Sequence, residues 1–482
     1  TFSQSTDGTY SGAMAGSGAL AKLGAGTLTL SGSNTYTGGT TISAGSLVGT
    51  TSSLQGAITN NAAVTFSQST DGTYSGAMAG SGSFTKLGAG AVTLSGTNTY
   101  SGGTTVTAGS LVGTTSSLQG AIVNNAAVTF NQSTDGTYSG AMAGSGALAK
   151  LGTGAVTLSG SNTYTGGTTL TAGTLGVGNA SALGSGNLAV NGGTLDLKGN
   201  SITVATLSGS SGGIITSSTT GAVTLTGSSA SDATYGGAIQ NGSGTVAFVK
   251  QGAGTLTLSG TSTYSGATTV SAGTLLVNGS LTNSAVTVGN GGTLGGSGTI
   301  GALVTVQSGG VLSPGNSPGA LAAAALDLQA GSTTFMEVVG SGSAAGTAGT
   351  DYDQFRITTA SSLTYGGNLV LSFIDTPLFA NGTLFSLFYF TGTAGGGFNA
   401  VTTASGSSSY SGLTFGHNAN GNWYTPDTSG GQYLVFDPAS GQLAIVPEPS
   451  TWVMAVIGAG VVALKARRRK RAAAATIAAG AA

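Results

Sequence analysis

The chain has 482 residues, of which only 5% are charged, and its formal net charge is −1. Glycine fills 89 positions without a Gly-X-Y period, which excludes collagen, and the near-zero net charge argues against disorder. No cysteine is present, so disulfides and thiolate metal sites are excluded. Half of the twelve Lys and Arg residues lie within 465–471, and the preceding part is mildly acidic, which argues against nucleic-acid binding.

Near-identical segments begin at Thr1, Thr65 and Thr129, which gives a repeat period of 64 residues. The most regular stretch of each copy starts at a lysine, and four such stretches start at Lys22, Lys86, Lys150 and Lys250. Internal repeats of this length are typical of solenoids and arrays. Because the first residue lies inside a copy and no initiator Met is present, we expect a truncated or processed product.

Alternation such as Thr27-Leu-Thr-Leu30 predicts short strands with one buried face. Each 64-residue unit divides into three stretches of about 21 residues, which predicts an all-β fold, a right-handed parallel β-helix with three coils per unit and an advance of roughly 14 Å. We then expect Leu28, Leu94 and Leu158 to share one interior column. The alternative, a β-sandwich, needs hairpins and antiparallel pairing. Identical repeats favour the solenoid, because each buries its apolar face only against its neighbours.

The rest of the chain differs in composition from the repeats. Residues 321–446 contain ten of the fifteen Phe residues, which predicts a β-rich domain with its own core. The predicted division is 1–176 as three repeats of which the third is partial, 177–320 as divergent coils with a fourth copy at 247–276, 321–446 as the aromatic-rich β domain, 447–471 as a terminal signal and 472–482 as an Ala-rich tail.

The terminal signal begins with Pro447, Glu448 and Pro449 and continues with an apolar run at 452–464. A basic cluster follows, which consists of Arg467, Arg468, Arg469, Lys470 and Arg471. The run is shorter than the roughly 20 residues of a full membrane span, but flanking Trp and Lys side chains suit the two interfaces. It predicts a short single transmembrane helix with the basic cluster in the cytoplasm and the body outside. A buried helix of a soluble domain is the alternative, and it leaves the basic cluster unexplained.

These terminal residues resemble the PEP-CTERM sorting signal. The resemblance implies recognition by an exosortase, removal of the anchor near the motif, and release to the envelope or exterior of a Gram-negative bacterium. The residues after the basic cluster depart from that pattern. The stretches that begin at the four lysines are similar to the autotransporter-associated β-strand repeat, whose fold is a β-helical passenger. The alternating strands of a translocator barrel are not found, and the sorting signal stands in their place, so self-translocation is not expected.

Candidate reactive groups are few. Asp351, Asp353 and Arg356 form the only local group of acids and a base worth naming, and we expect a polar strand entrance with a surface ion pair. His417, the sole histidine, is expected to be a solvated loop residue. No catalytic, cofactor or metal site is expected, because the acidic residues are scattered.

Two residue types recur with the repeat. Asp7, Asp71 and Asp135 are each followed by Gly, which predicts Asp-Gly turns. The repeat lysines are expected to be solvated and to discourage association of strand edges. As an alternative, they form a spaced cationic row that binds acidic glycans.

The resulting hypothesis is a non-enzymatic, exported structural or adhesin-like protein of the cell surface or extracellular biofilm matrix. Its expected partners are an exosortase-like membrane protease or transpeptidase, the inner membrane as a transient anchor, and extracellular polysaccharide. The alternatives are a β-helical carbohydrate-active enzyme and an autotransporter-type passenger.

Overall fold

The computed structural model describes residues 1–339, 346–360, 363–374, 378–406, 408–425, 428 and 431–447. Within these ranges the regular elements are strands, and no helix occurs. The chain forms two compact units, Thr1–Thr305 and Val306–Ala482. The predicted all-β parallel solenoid is confirmed. The predicted transmembrane helix lies outside the described residues.

Each coil of the first unit has three sides. Along the chain, Ala63–Ser67 belongs to one sheet, Gly72–Tyr74 to a second and Met78–Ala79 to a third, and Ser83–Leu87 then returns to the first. Every pairing between these coils is parallel. Inward Val, Leu and Phe therefore alternate with outward Thr and Ala along each strand.

The strands of the first unit fall into six parallel sheets. Sheet 1 contains Gly8–Tyr10, Thr27–Leu30, Ser46–Gly49, Ala63–Ser67, Ser83–Leu87, Thr104–Val106, Ile122–Asn124 and Met142–Ala143. Sheet 2 contains Gly72–Tyr74, Ala91–Leu94, Ser110–Gly113, Ala127–Asn131, Ala147–Leu151, Thr168–Leu170, Leu188–Val190 and Leu207–Ser208. Sheet 3 contains Leu20–Lys22, Thr40–Ile42, Ile58–Asn60 and Met78–Ala79. Sheet 4 contains Gly136–Tyr138, Ala155–Leu158, Thr174–Val177, Gly192–Asp196, Gly212–Thr216 and Ala238–Ile239.

The last two sheets follow the third repeat copy. Sheet 5 contains Ile202–Val204, Gly221–Gly227, Gly244–Lys250, Thr261–Ser262, Thr268–Val270, Ser280–Leu281, Val286–Val288 and Thr299–Val306. Sheet 6 contains Ala233–Tyr235, Thr255–Leu258, Gly273–Val277 and Gly292–Gly295.

One repeat is about three and one third coils long. Gly8 pairs with Leu28, Leu28 with Leu47, and Leu47 with Val64, so three coils occupy the 56 residues from 8 to 64. The other eight residues of the period carry the chain on to the next side. Gly72, the equivalent of Gly8, therefore lies in sheet 2. Each repeat copy is turned by one side of the solenoid relative to the copy before it.

The predicted leucine column is therefore wrong. Leu28 lies in sheet 1, Leu94 in sheet 2 and Leu158 in sheet 4. The prediction assumed a whole number of coils per repeat, whereas each repeat consists of three coils and one further side. Leu28 instead stacks on Leu47 of the next coil, and both are buried.

Glycine allows the coils to approach closely at the corners. A Cβ on Gly90 would lie 2.2 Å from the carbonyl oxygen of Thr70, one coil below, and Gly26 and Gly154 meet the same obstacle at 2.3 and 2.4 Å. Real Cβ atoms do not approach backbone oxygens so closely. The spacing of coils thus depends on the absence of a side chain at these positions.

The second unit combines parallel and antiparallel strands. One parallel set is Val311–Leu312, Thr333–Val339, Asn368–Ile374 and Ala400–Thr403. The other is Ala320–Leu328, Gln354–Ile357, Leu363–Tyr365, Phe388–Tyr389 and Ala394–Gly396. The antiparallel sheet contains Leu384–Ser386, Gln442–Pro447, Gln432–Asp437, Trp423–Tyr424 and Gly416–His417. The aromatic side chains form a buried cluster, in which Tyr365, Phe388 and Phe436 make edge contacts.

Candidate functional site

The repeat lysines are buried inside the solenoid. In strand Ser83–Leu87 the lysine shares the inward parity of Phe84, so its side chain points into the coil. The exposed fraction of the side chain is at most 1% in all four copies, at Lys22, Lys86, Lys150 and Lys250. The prediction of solvated lysines is therefore wrong. A cationic row for acidic glycans is excluded for the same reason.

Each buried ammonium group is enclosed by backbone carbonyl groups, an arrangement we call the lysine cage. Lys86 Nζ donates to the carbonyl oxygens of Leu87 at 2.9 Å, Gly88 at 2.7 Å and Ala108 at 3.0 Å. Ala108 belongs to the next coil, so the cage ties two coils together. Gly88 has φ of +77°, a conformation that favours glycine and explains the Lys-x-Gly spacing.

The other cages repeat this geometry. Lys150 donates to Leu151, Gly152 and Ala172 at 2.7, 2.8 and 3.1 Å. Lys250 donates to Gln251, Gly252 and Ala272 at 2.9, 2.7 and 3.2 Å. Lys22 donates to the carbonyl oxygens of Gly24 and Ala44. Buried carbonyl groups at these corners need donors, and an ammonium group supplies three at once.

Burial shifts the pKa of three cage lysines downward. Loss of solvation lowers the pKa of Lys86, Lys150 and Lys250, and the negative charges of Asp71, Asp135 and Asp232 oppose that shift. Each of these three ammonium groups donates three hydrogen bonds to carbonyl oxygens inside the protein. The cages therefore have the chemistry of structural cross-links between coils.

The repeat aspartates cap the strand of the following coil. Asp71 Oδ1 accepts a hydrogen bond from Ala91 N at 2.8 Å, and Asp135 accepts one from Ala155 N at the same distance. Gly72 and Gly136 are the first residues of strands. The predicted Asp-Gly turns are thus wrong, because the bend precedes the aspartate and the glycine already pairs with the next coil.

Buried amide side chains complete the internal polar network. Asn98 Oδ1 accepts from Met78 N at 2.8 Å, and its Nδ2 donates to Ser117 O at 2.7 Å. Asn34 and Asn162 make the equivalent pairs of contacts in the other copies. The recurring buried polar groups thus bond to backbone groups of neighbouring coils.

Asp353 is fully buried in the second unit. Its Oδ1 accepts from Gly319 N at 2.7 Å and its Oδ2 from Glu337 N at 2.8 Å. Burial raises the pKa of Asp353 to about 7, and repulsion by Glu337 adds to the shift, although both backbone donors favour the ionised form. The predicted surface ion pair is wrong for this residue, since both oxygens hold buried backbone segments.

The other predicted polar residues have separate roles. Asp351 Oδ2 accepts from Thr347 N at 2.6 Å and stabilises a turn. The Arg356 guanidinium lies 5.5 Å from the ring centre of Tyr389. His417 is exposed as predicted, but it lies in a two-residue strand, and its ring contacts Trp423. Across the described residues, no three His, Asp or Glu side chains group closely enough to hold a metal ion.

The sorting segment follows the last described strand. Pro447 ends that strand, Gln442–Pro447, and is exposed. Glu448, Pro449 and the basic cluster of 467–471 lie outside the described residues. The part of the chain that the structure describes contains no helix that combines the length and apolar character needed to cross a membrane.

Comparison with known families identifies both sequence patterns. Residues 20–48, 84–112, 148–177 and 248–277 match the passenger-associated-transport-repeat model. Residues 446–470 match the PEP-CTERM protein-sorting motif. Both predicted resemblances are confirmed. A search of the curated proteins finds no match.

The matched segments correspond to structural features. Each matched repeat contains one lysine cage, from the lysine to the alanine of the next coil. The chain is thus a β-solenoid with passenger-type repeats. It also carries a sorting motif that implies export and delivery to the cell surface or the exterior.

Proposed function

We propose that the protein is a non-enzymatic structural component of the cell surface or extracellular matrix. The observation that carries this proposal is the use of the recurring buried polar residues. In each 64-residue copy the lysine and the asparagine bond to backbone groups inside the solenoid, and each makes at least one bond to a neighbouring coil. Repetition of such a unit extends a rigid stalk.

The proposal includes a route to that location. An exosortase-like protease or transpeptidase recognises Pro447, Glu448 and Pro449 while the apolar run 452–464 holds the protein in the inner membrane. Cleavage near the motif then releases the body. The match at 446–470 supports this route.

The Glu448→Ala variant tests the route, with Ser450→Ala as the matched neighbour. Both are expressed in a bacterium that has the sorting enzyme, and the cells are separated into membrane, surface and medium fractions. We expect Glu448→Ala to accumulate in the membrane fraction at its unprocessed mass and Ser450→Ala to be released. Normal release of Glu448→Ala would show that the motif does not direct processing.

Catalysis on polysaccharide remains the competing function, since parallel β-helices also occur in carbohydrate-active enzymes. Asp353 has the raised pKa of a general acid. Its complete burial and its two backbone donors weigh against that role. Glycan chain length after prolonged incubation with the protein distinguishes an enzyme from a structural component. Shortened chains, with the activity lost in Asp353→Asn, would establish an enzyme.

A further inference from the structure

A groove of about 560 Å³ lies on the outer surface of the first unit, lined by Asp232, Ala233, Thr234, Thr255, Thr257 and Leu276. It crosses three neighbouring strands of sheet 6. Thr234 pairs with Thr257, and Thr257 pairs with Leu276, so the three outward side chains form a row along the stacked coils. The row advances by about 4.8 Å per strand.

The groove presents fixed hydrogen-bonding groups without a positive charge. Asp232 Oδ1 accepts from Thr255 N at 2.8 Å, which orients the exposed carboxylate. The hydroxyl groups of Thr234 and Thr257 have no hydrogen-bond partner among the described residues, so they face solvent with their bonding capacity unused. Leu276 supplies an apolar floor at the end of the row.

The aspartate and the paired threonines recur in every repeat copy, whereas the position of Leu276 is Val48, Val112 and Gly176 in the first, second and third copies. The equivalent carboxylate is held by the backbone N–H of the next coil in the other three copies, at Asp7, Asp71 and Asp135. The paired outward threonines in these copies are Thr9 with Thr29, Thr73 with Thr93, and Thr137 with Thr157. These three copies lie in sheets 1, 2 and 4, and each is turned by one side from the copy before it.

We propose that the grooves of the first, second and fourth copies bind an uncharged polysaccharide, one sugar segment per copy. An oriented carboxylate and free hydroxyl groups suit sugar hydroxyls, and small aliphatic side chains suit the sugar ring faces. The cage lysines are buried, so an anionic glycan meets the exposed aspartates at the first, second and fourth copies, whereas at the third copy the side chain of the exposed Lys198 lies against Gly176. Electrostatic complementarity thus selects against acidic polymers.

A second copy of the chain is a poorer occupant of these faces. Sheet 1 has eight strands of two to five residues. It therefore covers about 38 Å by about 13 Å, or roughly 500 Å². A stable protein interface buries about 800 Å² on each partner. A narrow polymer needs only a strip of the face.

The rotation between copies allows one protein molecule to cross-link glycan chains. The grooves of the first two copies stand about 16 Å apart along the axis, since three and one third coils separate them. They lie in sheets 1 and 2 and face different sides, so one protein molecule engages several glycan chains and cross-links them. This inference deepens the proposed matrix function and rests on it.

The test uses the full chain with soluble hydroxyethyl cellulose and dextran as neutral probes and polygalacturonate as the acidic probe. Asp7→Asn, Asp71→Asn, Asp135→Asn and Asp232→Asn are combined in one variant, because an amide oxygen still accepts the strand hydrogen bond. A matched control combines Thr41→Val and Thr59→Val, two exposed threonines of sheet 3 strands. Far-UV circular dichroism checks that both variants fold.

We expect the wild type and the control to bind a neutral probe, and the four-Asn variant to bind at least about tenfold more weakly. The wild type also forms sedimentable complexes with the neutral probe, and a variant that retains only Asp232 binds without forming them. Preference for polygalacturonate, equal binding by the four-Asn variant, or sedimentation of the wild type without glycan would each overturn the proposal. These results are independent of the release of Glu448→Ala. A failure of the glycan-binding proposal can therefore be distinguished from a failure of the sorting proposal.

Discussion

Replacing Lys150 with methionine tests the structural role of the lysine cage. Methionine keeps most of the buried stem but removes the ammonium group. The carbonyl oxygens of Leu151, Gly152 and Ala172 then lose a donor that lies within 3.1 Å of each. Leaving a buried acceptor unsatisfied costs about 1 kcal/mol at the lower end, so we expect a loss of about 3 kcal/mol for the three.

Hydrogen exchange followed by mass spectrometry is the suitable assay, because stability in a solenoid is local and a single global transition would average over many coils. A loss of about 3 kcal/mol corresponds to roughly hundredfold faster exchange in the peptides that cover 147–177. Peptides three coils away should exchange as in the wild type.

Lys198→Met is the matched control, since Lys198 is exposed. A surface substitution of this kind changes stability by about 0.5 kcal/mol or less. Equal exchange rates of the 147–177 peptides in Lys150→Met and Lys198→Met would show that the cage contributes no stability, and its assignment as a cross-link would be refuted.

Three further predictions follow from the contacts described. Gly90→Ala places a Cβ against the Thr70 carbonyl oxygen and should cost about 2 kcal/mol of local stability in hydrogen exchange, whereas Gly18→Ala, with open space around it, should be neutral. Burial raises the pKa of Asp353 to about 7 from an ordinary 3.8, so the carboxyl group ionises in the unfolded chain first as pH rises. The second unit should therefore lose about 4 kcal/mol of stability between pH 4 and pH 7. A melting temperature that is independent of pH, or an equal slope in Asp353→Asn, would contradict this. Retention of Glu448→Ala in the membrane fraction, beside normal release of Ser450→Ala, tests the sorting motif.

Much of the fold could be predicted from the sequence. The Thr-Leu alternation of Thr27–Leu30 identifies the buried face of each strand, and near-identical copies favour a solenoid. The number of coils per repeat could not be read in the same way, because the period fixes only the distance between copies. Where the chain turns at each corner decides how many sides fit into that distance.

The burial of the repeat lysines could be predicted from strand parity, although their charge favours an exposed position. In Leu20-Ala21-Lys22 the lysine has the same parity as the buried Leu20. Strand parity alone therefore predicts an inward side chain. The expectation of a solvated lysine prevailed because burial of an unpaired charge is costly. Two of the compensating carbonyl groups follow the lysine directly, but the third comes from the next coil, 22 residues later, and becomes visible only once the coils are stacked.

The aspartates illustrate the same difficulty at shorter range. Asp71 followed by Gly72 has the local chemistry of a turn. Its hydrogen-bond partner, Ala91, becomes visible only once the coils are stacked. The outer groove at Asp232 was missed for this reason too, since its lining residues come from three separate strands.

Deletion of residues 65–128 tests most directly whether this protein is an exported structural stalk. The cut joins Val64 to Thr129, which is the equivalent of Thr65, so the local sequence at the junction is preserved. It also turns everything downstream by one side of the solenoid. We expect a shorter protein that keeps its far-UV circular dichroism per residue and reaches the cell surface or medium in the same amount as the wild type. An unfolded or retained product would contradict it.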